Sequence, residues 1–235
     1  MENKIDEVPP VEKAIYKVNV EKGKQLAIAN PEYNFELFSS QIKDLYNKGI
    51  KRRKRVGIYA GSFNPIHAGH VHIIFSALDV FDEVEVVIAD NPDKKYSVSV
   101  GKRMEICKET LINEATNNRI FVNYTRLPIA KFAREFSAKY EANVTLIRGI
   151  RNADDLQSEK AMATFNKELN KTFSNTIWFE NLNTVFFASE PEFSHLSSSA
   201  IRQIAEITTE KEFARTLDYN FDKWDKLVWE AYHNA

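Results

Sequence analysis

The chain has 235 residues, 43% of them hydrophobic and 12% aromatic, which is enough to bury a sizeable core. Its 32 lysines and arginines nearly balance its 33 acidic residues, so no global field draws it to nucleic acid or to an anionic membrane. A single cysteine excludes an internal disulfide and a cysteine-rich zinc site. We predict that this residue, Cys107, packs in the core beside Met104 and Leu111 at helical spacing.

We expect neither export nor membrane insertion. No apolar run approaches the ~18 residues of a membrane span. The acidic first ten residues, MENKIDEVPP, lack the apolar core of a signal peptide. We therefore expect a cytoplasmic protein that binds neither membrane nor nucleic acid.

Residues 1–55 differ in character from the rest, and we predict that they form an N-terminal extension to a domain spanning 56–235. A charged opening with two prolines disfavours helix, and an amphipathic helix is predicted over 35–46. The segment ends in the basic run KRRKR at 51–55. One interpretation of this run is a nucleic-acid or targeting patch. We favour a solvated segment ahead of a buried strand, because the rest of the chain has no matching excess of positive charge.

From residue 56 onwards, short apolar strands alternate with amphipathic helices. The strands are predicted at 56–60, 84–90, 120–124, 144–148 and 184–189, and the helices at 69–80, 101–114, 129–140, 153–169, 197–205 and 213–232. This alternation predicts an open, doubly wound (Rossmann-like) α/β fold, with a five-stranded parallel sheet covered by helices on both faces. Such sheets bind ligands at the carboxyl ends of their strands.

The first strand is followed by the string GSFNPIHAGH at 61–70. His67 and His70 share a face at the start of a helix, where free N–H groups suit phosphate. A histidine metal pair is a rival interpretation, which needs at least one more ligand, and two histidines without a function are the simplest alternative. The complete string after a buried strand favours a nucleotide-phosphate site.

Two further strand ends carry cations. Lys94 follows the second strand, and Arg148 and Arg151 flank the turn from the fourth strand into a helix. A guanidinium offers a donor fork that matches phosphate oxygens. The alternative is that these arginines form surface ion pairs with Asp154 or Asp155, which we consider weaker because Arg148 directly ends an apolar strand.

The helix after the fifth strand begins with three serines at 197–199. Serine is a preferred N-cap, but three exceed what one cap needs, so their hydroxyls and N–H groups suit polyphosphate. The chain contains neither GxxxxGK[ST] nor GxGxxG, which disfavours P-loop hydrolases and dinucleotide dehydrogenases. No activated nucleophile is evident, and this favours direct transfer between two bound substrates.

Taken together, GSFNPIHAGH and LSSSAIR resemble the paired (T/H)xGH and ISSTxxR signatures of the nucleotidylyltransferase superfamily. Within it, NPDKKYSVSVGKRMEI and IRGIRNADDLQSE resemble the bacterial phosphopantetheine adenylyltransferase family. The resemblance covers about 56–205. It implies an enzyme that transfers AMP from ATP to 4′-phosphopantetheine, giving dephospho-coenzyme A and pyrophosphate.

The resemblance also implies roles for individual residues. It assigns transition-state stabilisation to His70 and contact with both substrates to Ser62. Lys94 and Arg148 hold the acceptor phosphate and act with the histidine in catalysis, while Ile129 contacts the pantetheine arm. The implied ATP-binding residues are Ser62, Phe63, His67, His70, Gly149, Ile150, Arg151, Glu159, Phe193, Ser194, His195, Leu196, Ser197, Ser198 and Ser199. A Mg²⁺ ion bound mainly through the ATP phosphates and a homohexameric assembly are further implications.

The sequence departs from the family pattern at several positions. Phosphopantetheine enzymes usually have threonine at the position of His67, whereas nicotinamide mononucleotide adenylyltransferases have histidine there. Asn64 replaces the aspartate of a usual FDP, Pro128 is unusual in the segment lining the pantetheine arm, and Ser158 replaces a common tyrosine. Adenylyl transfer to nicotinamide mononucleotide therefore stays open as an alternative. A catalytically silent nucleotide-binding module is a third hypothesis, which the presence of both the motif histidine and the motif lysine disfavours.

Overall fold

The computed structural model describes residues 53–90, 94–112, 116, 118–172, 182–193, 195–217, 223–233 and 235. The helix predicted at 35–46 and the first two residues of the basic run lie outside this part of the chain. The remaining residues of that run, 53–55, are exposed, and Lys54 and Arg55 form ion pairs with Glu83 and Asp82.

One parallel sheet organises the described residues, and its topology places a crevice beside the first strand. The strands are β1 (Arg55–Gly61), β2 (Glu83–Ala89), β3 (Ile120–Thr125), β4 (Asn143–Ile150) and β5 (Asn183–Ala188). Their order is β3-β2-β1-β4-β5, and every neighbouring pair is parallel. The chain therefore winds outwards from β1 in one direction and then in the other, which creates a switch point between β1 and β4. The predicted doubly wound fold is confirmed.

Helices cover both faces of this sheet. They are α1 (Ala68–Leu78), α2 (Val100–Leu111), α3 (Ile129–Tyr140), α4 (Ala153–Thr172), α5 (Ser198–Ile207), α6 (Glu210–Leu217) and α7 (Trp224–Tyr232), with a 3₁₀ turn at Pro191–Phe193. Of the helices that the structure describes, none is both long and apolar enough to cross a bilayer.

Successive side chains of β2 point alternately into two hydrophobic cores, one on each face of the sheet. Val84, Val86 and Ile88 pack with α1, α2 and α7 in the larger core, whereas Val87 faces the smaller core formed with α3 and α4. Cys107 of α2 is buried in the larger core as predicted, and burial raises the pKa of its thiol to about 12.

The helix predicted at 213–232 was wrong as a single element. The structure has α6 and α7 instead, and Lys223, directly before α7, has a left-handed conformation with φ 64°. The rings of Phe213 and Trp224 stack with their centroids 6.0 Å apart, and both side chains are completely buried. In a continuous helix these residues would lie about 16 Å apart along the axis, so burying both against each other requires the break.

The fourth strand is longer than predicted, and this changes the setting of Arg148. We expected the strand to end at this residue, but Gly149 and Ile150 continue the pairing with β5. A side chain at Gly149 would not fit, because a Cβ there would lie 3.2 Å from Ile73 of α1 and 3.3 Å from the Tyr59 hydroxyl. The glycine thus lets α1 approach the carboxyl ends of the strands closely.

Candidate active site

A cleft of about 300 Å³ opens at the carboxyl ends of β1 and β4, at the switch point of the sheet. Its lining residues are Tyr59, Ala60, Gly61, Phe63, His67, Gly69, His70, Ile73, Arg148, Gly149, Arg151, Asp155, Glu159, Ser189, Phe193, Ser197 and Ser198. The cleft therefore brings together groups that follow three different strands, as expected for a ligand site in this kind of sheet.

Two imidazoles in close contact line the cleft at the start of α1. The ring centroids of His67 and His70 lie 3.7 Å apart. The backbone N–H of His67 donates to Nδ1 of His70 over 3.3 Å, which assigns the proton of the neutral His70 ring to Nε2. The Phe63 ring meets His70 edge-on at 5.2 Å. These contacts orient His70 with one N–H available as a donor.

Both imidazoles are neutral near pH 7. Burial, reinforced by the positive charge of Arg151, lowers the pKa of His67 to about 4. The pKa of His70 also lies well below its ordinary value, first because of burial and then because of the neighbouring His67 and Arg151. A neutral imidazole can donate a hydrogen bond to a phosphoryl oxygen without the cost of burying a charge.

Two arginines face the imidazoles, and each is paired with a carboxylate of α4. Arg151 makes a bidentate contact with Asp155, at 2.8 Å from Nε to Oδ2 and 3.3 Å from Nη2 to Oδ1. Nε of Arg148 lies 2.5 Å from Oε2 of Glu159 as an ion pair without hydrogen-bond geometry. The hydrogen bonds from Arg151 lower the pKa of Asp155. The predicted ion pair is therefore confirmed for Arg151 with Asp155, whereas Arg148 pairs with Glu159; phosphate binding by both arginines stays a prediction.

The three serines of α5 have three different partners. Ser197 caps the helix, and its Oγ accepts from the backbone N–H of Ala200 at 3.1 Å. The hydroxyl of Ser198 donates to the carbonyl of Pro65 at 2.8 Å. The hydroxyl of Ser199 accepts from Arg202 at 3.1 Å. The first two line the cleft, so the capping serine and its neighbour lie at the predicted ligand site.

Several predicted site residues lie away from the cleft lining. Ser62 turns its carbonyl towards Nη1 of buried Arg103, at 2.7 Å, and Ile129 packs beside the smaller core. Lys94 is exposed. The others outside the lining are Ile150, His195, Leu196 and Ser199. Leu196 and His195 instead line a second, more apolar cavity beside α5 and α6, and Ser194 lies outside the described residues.

Three polar residues of the cleft, Tyr59, Asp155 and Ser189, were not predicted from the sequence. Tyr59 lies within the apolar run of β1, so the sequence pattern did not mark it as a polar site residue. Burial raises the pKa of its hydroxyl, which therefore remains protonated. Asp155 was considered only as an ion-pair partner of the arginines. Residues two positions apart lie on the same face of a strand, so Tyr59 shares a face of β1 with Gly61. This spacing was the available signal for Tyr59.

The histidine pair does not form a metal centre with other described side chains. Among the residues that the structure describes, no group of three or more His, Cys, Asp or Glu side chains is placed to hold a metal ion. Nδ1 of His67 has no hydrogen-bond partner within that part of the chain. The pair is therefore better suited to donate and accept hydrogen bonds than to chelate.

Comparison with known proteins places this geometry in a family. Residues 58–204 match the cytidylyltransferase-like family model. The chain is 35% identical over 150 residues to the phosphopantetheine adenylyltransferase of Thermotoga neapolitana, a match that covers 64% of this chain and 83% of that protein. It is 34% identical over 156 residues to the protein of the same name from Clostridium perfringens, covering 66% and 85%.

Solved structures support the fold. A nicotinic acid mononucleotide adenylyltransferase from Plasmodium falciparum, complexed with NaAD, superposes with a TM-score of 0.53 at 17% identity, covering 76% of this chain and 96% of that one. A putative nicotinate-nucleotide adenylyltransferase from Vibrio parahaemolyticus gives 0.54 at 15% identity, covering 77% and 97%. Identities this low establish the architecture alone, whereas the sequence relatives establish the family. The chain belongs to the cytidylyltransferase-like family and, within it, to the phosphopantetheine adenylyltransferases.

Proposed function

We propose that the protein transfers AMP from ATP to 4′-phosphopantetheine, forming dephospho-coenzyme A and releasing pyrophosphate. One observation carries the proposal: the neutral imidazole of His70 lines the same cleft as Arg148 and Arg151, in a chain of this family. Two anionic substrates must meet in such a reaction, and this cleft supplies both fixed cations and neutral donors.

The reaction needs positioning and charge stabilisation more than proton transfer. An oxygen of the acceptor phosphate attacks the α-phosphorus of ATP, and the bond from that phosphorus to the pyrophosphate oxygen breaks. A phosphate monoester is largely dianionic at pH 7, so no general base is required. The Nε2 proton of His70 is available to donate to the α-phosphoryl oxygens as charge builds there. Holding both substrates in line supplies much of the remaining rate.

The arginines divide between the two substrates in this proposal. Arg148 binds the acceptor phosphate, and Arg151 binds ATP together with Gly149, Glu159 and the segment from Phe193 to Ser199. Ser62, Lys94 and Ile129 complete the acceptor side, although in this structure they lie outside the cleft lining. A phosphate oxygen can replace the carboxylate on Arg151, because its partly exposed ion pair with Asp155 contributes little net free energy. At Arg148 the paired Nε and Glu159 Oε2 are buried and make no hydrogen bond, so a phosphate oxygen would supply an acceptor that the donor lacks.

A magnesium ion fits the donor set of the cleft only as a companion of the nucleotide. The cleft carboxylates, Asp155 and Glu159, already contact arginines. Mg²⁺ prefers oxygen ligands and readily keeps its waters and substrate phosphates. We therefore propose that Mg²⁺ enters on the triphosphate, whose negative charge it offsets. Assembly as a homohexamer in the cytoplasm belongs to the same proposal, and sedimentation of the purified protein tests the assembly.

A second acceptor is favoured by one feature of the site. His67 lines the cleft in contact with His70, and phosphopantetheine enzymes usually have threonine at its position. Nicotinamide mononucleotide is therefore the alternative acceptor.

Pyrophosphate release tests the function directly. Purified protein with ATP and Mg²⁺ is mixed with 4′-phosphopantetheine, with nicotinamide mononucleotide, or with no acceptor. We expect release with 4′-phosphopantetheine alone. Release with nicotinamide mononucleotide alone would replace the proposed acceptor with the alternative one. Absence of release with either acceptor would contradict the proposed activity.

A further inference from the structure

The loop that carries Phe63 and His67 into the cleft is held by donors from distant elements. We call residues 62–67, between β1 and α1, the site loop. Its external donors are Arg103 to the Ser62 carbonyl, Arg202 to the Asn64 carbonyl, Ser198 to the Pro65 carbonyl, Trp224 to the Ile66 carbonyl and Tyr232 to the Asn64 side chain. The conformation of the loop is thus determined largely by the elements packed around it.

Two of these donors come from α7, which lies beyond residue 204, where the family match ends. The Tyr232 hydroxyl donates to Oδ1 of Asn64 at 2.8 Å, and Nε1 of Trp224 donates to the Ile66 carbonyl at 3.1 Å. Trp224 is completely buried and Tyr232 is 3% exposed. Water has little access to either bond, so a lost donor here leaves a buried polar group unsatisfied.

Strain in the site loop makes this anchoring consequential. Phe63 has φ 40°, a left-handed conformation that non-glycine residues rarely adopt. Such a conformation persists only where the surroundings impose it. Asn64 is the next residue, and the Phe63 ring is the one that contacts His70 edge-on. Releasing Asn64 would let Phe63 relax and withdraw its ring from the imidazole.

We infer that Tyr232 is a positioning residue for adenylyl transfer. Its hydroxyl holds Asn64, and through Asn64 it holds Phe63 and the His67–His70 pair in the arrangement that lines the cleft. Its effect on the rate rests on the proposed function, whereas its effect on the imidazoles does not. Tyr232 touches no cleft-lining residue through its hydroxyl bond, so its influence passes through Asn64.

Helix α7 offers a matched control. Nε1 of Trp229 donates to the Thr208 carbonyl at 3.0 Å, and the Trp229 ring stacks on His233 with centroids 4.3 Å apart. Each substitution therefore removes one hydrogen bond made by α7. Tyr232→Phe removes a buried bond to the site loop, whereas Trp229→Phe removes a partly buried bond to the end of α5. A general weakening of α7 would affect both variants alike.

The experiment compares these two variants with the unmodified chain by two readouts. The first is the steady-state rate of pyrophosphate release, resolved into kcat and KM for ATP. We expect Tyr232→Phe to lower kcat about tenfold with KM changed by less than about twofold, and Trp229→Phe to leave kcat within about twofold. The second readout is the ¹⁵N NMR signals of the imidazoles. We expect Tyr232→Phe to shift those of His67 and His70, and Trp229→Phe to shift that of His233.

Two results would overturn the inference: unchanged His67 and His70 signals in Tyr232→Phe, or equal kcat losses in the two variants. Asn64→Ala adds a further check, because Tyr232→Phe should cost nothing more once the amide is absent. If the unmodified protein released no pyrophosphate, the proposed function would fail while the imidazole signals would still decide whether Tyr232 positions the loop.

Discussion

The two sides of the cleft are built on different physical principles. We call residues 63–70 the imidazole wall and residues 148–159 the arginine wall. The imidazole wall is neutral, mostly buried and anchored by hydrogen bonds from two other helices, α5 and α7. The arginine wall is charged and partly exposed, and its Arg148 and Arg151 pair with Glu159 and Asp155.

This difference assigns each wall a different task. Hydrogen bonds between buried groups are costly to leave unmade, so the imidazole wall keeps one geometry. The partly exposed ion pair of Arg151 contributes only about 0–1 kcal/mol, so this arginine can exchange its carboxylate for a phosphate oxygen. Preorganised donors therefore face adaptable cations, which suits a reaction in which substrates arrive and leave as anions while charge develops at one phosphorus.

Removing the His70 imidazole should have the largest effect on the reaction, because it deletes a donor from the rigid imidazole wall. We expect His70→Ala to lower kcat by about 10²–10³, the loss that follows removal of one preorganised donor to a developing oxyanion. The melting temperature should fall modestly, because the His67 N–H loses its acceptor, so turnover is compared well below both unfolding transitions. Pyrophosphate release and thermal unfolding measure the two quantities. His233→Ala, outside the cleft, is the control, and near-normal turnover of His70→Ala would refute the assignment.

Lowering the pH should reduce the free energy of unfolding first through the imidazole wall and only at lower pH through the arginine wall. The pKa of His67 is about 4 in the folded state and 6.5 in the unfolded state. Between these values the unfolded chain binds the proton and the folded chain does not, so the free energy of unfolding falls as the pH is lowered through this window. The expected loss is about 3 kcal/mol by pH 4. Asp155 has a folded pKa below its usual 3.8, so its contribution disappears only at still lower pH.

Urea unfolding at several pH values between 7 and 4 measures this slope. A His67→Phe variant should show a shallower decline, since the phenyl ring takes up no proton in the unfolded state. Parallel curves for the variant and the unmodified chain would show that His67 does not titrate in the manner that its burial requires.

Shortening Arg148 should have the smallest effect and should act on binding. We expect Arg148→Ala to raise KM for 4′-phosphopantetheine about tenfold, the loss of one charge-assisted hydrogen bond, with KM for ATP changed less. Arg148→Lys should recover part of the affinity as a point charge without the donor fork. Steady-state kinetics with each substrate varied in turn measures both constants. A change confined to the KM for ATP would reverse the proposed division of the arginines.

The sequence predicted the fold well because its signals were local. Apolar strands between amphipathic helices identified the sheet, and the GSFNPIHAGH string placed His67 and His70 correctly. The ends of elements were less predictable: β4 continues through Gly149 because pairing with β5 extends it, and α6 and α7 separate because two distant aromatic side chains stack. Neither cause is visible in a window of neighbouring residues.

The sequence pattern did not predict contacts between segments that are distant along the chain. The pairing of Tyr232 with Asn64 depends on how α7 packs, and the pairing of Arg148 with Glu159 depends on where α4 leaves the sheet. Lys94, predicted from its position after β2, is exposed in the structure. Position after a strand brings a side chain to the correct edge of the sheet, but the path of the following loop decides where the side chain lies.

The bond between Tyr232 and Asn64 joins residues 168 positions apart in the chain. Closing so large a loop carries an entropic cost that local contacts do not, and chains fold their N-terminal parts first during synthesis. The parallel sheet can therefore assemble before α7 arrives to lock the loop after β1. In the order of folding events, the reactive geometry is completed at the end, and a chain interrupted before α7 would lack both the anchor of the site loop and part of the larger core.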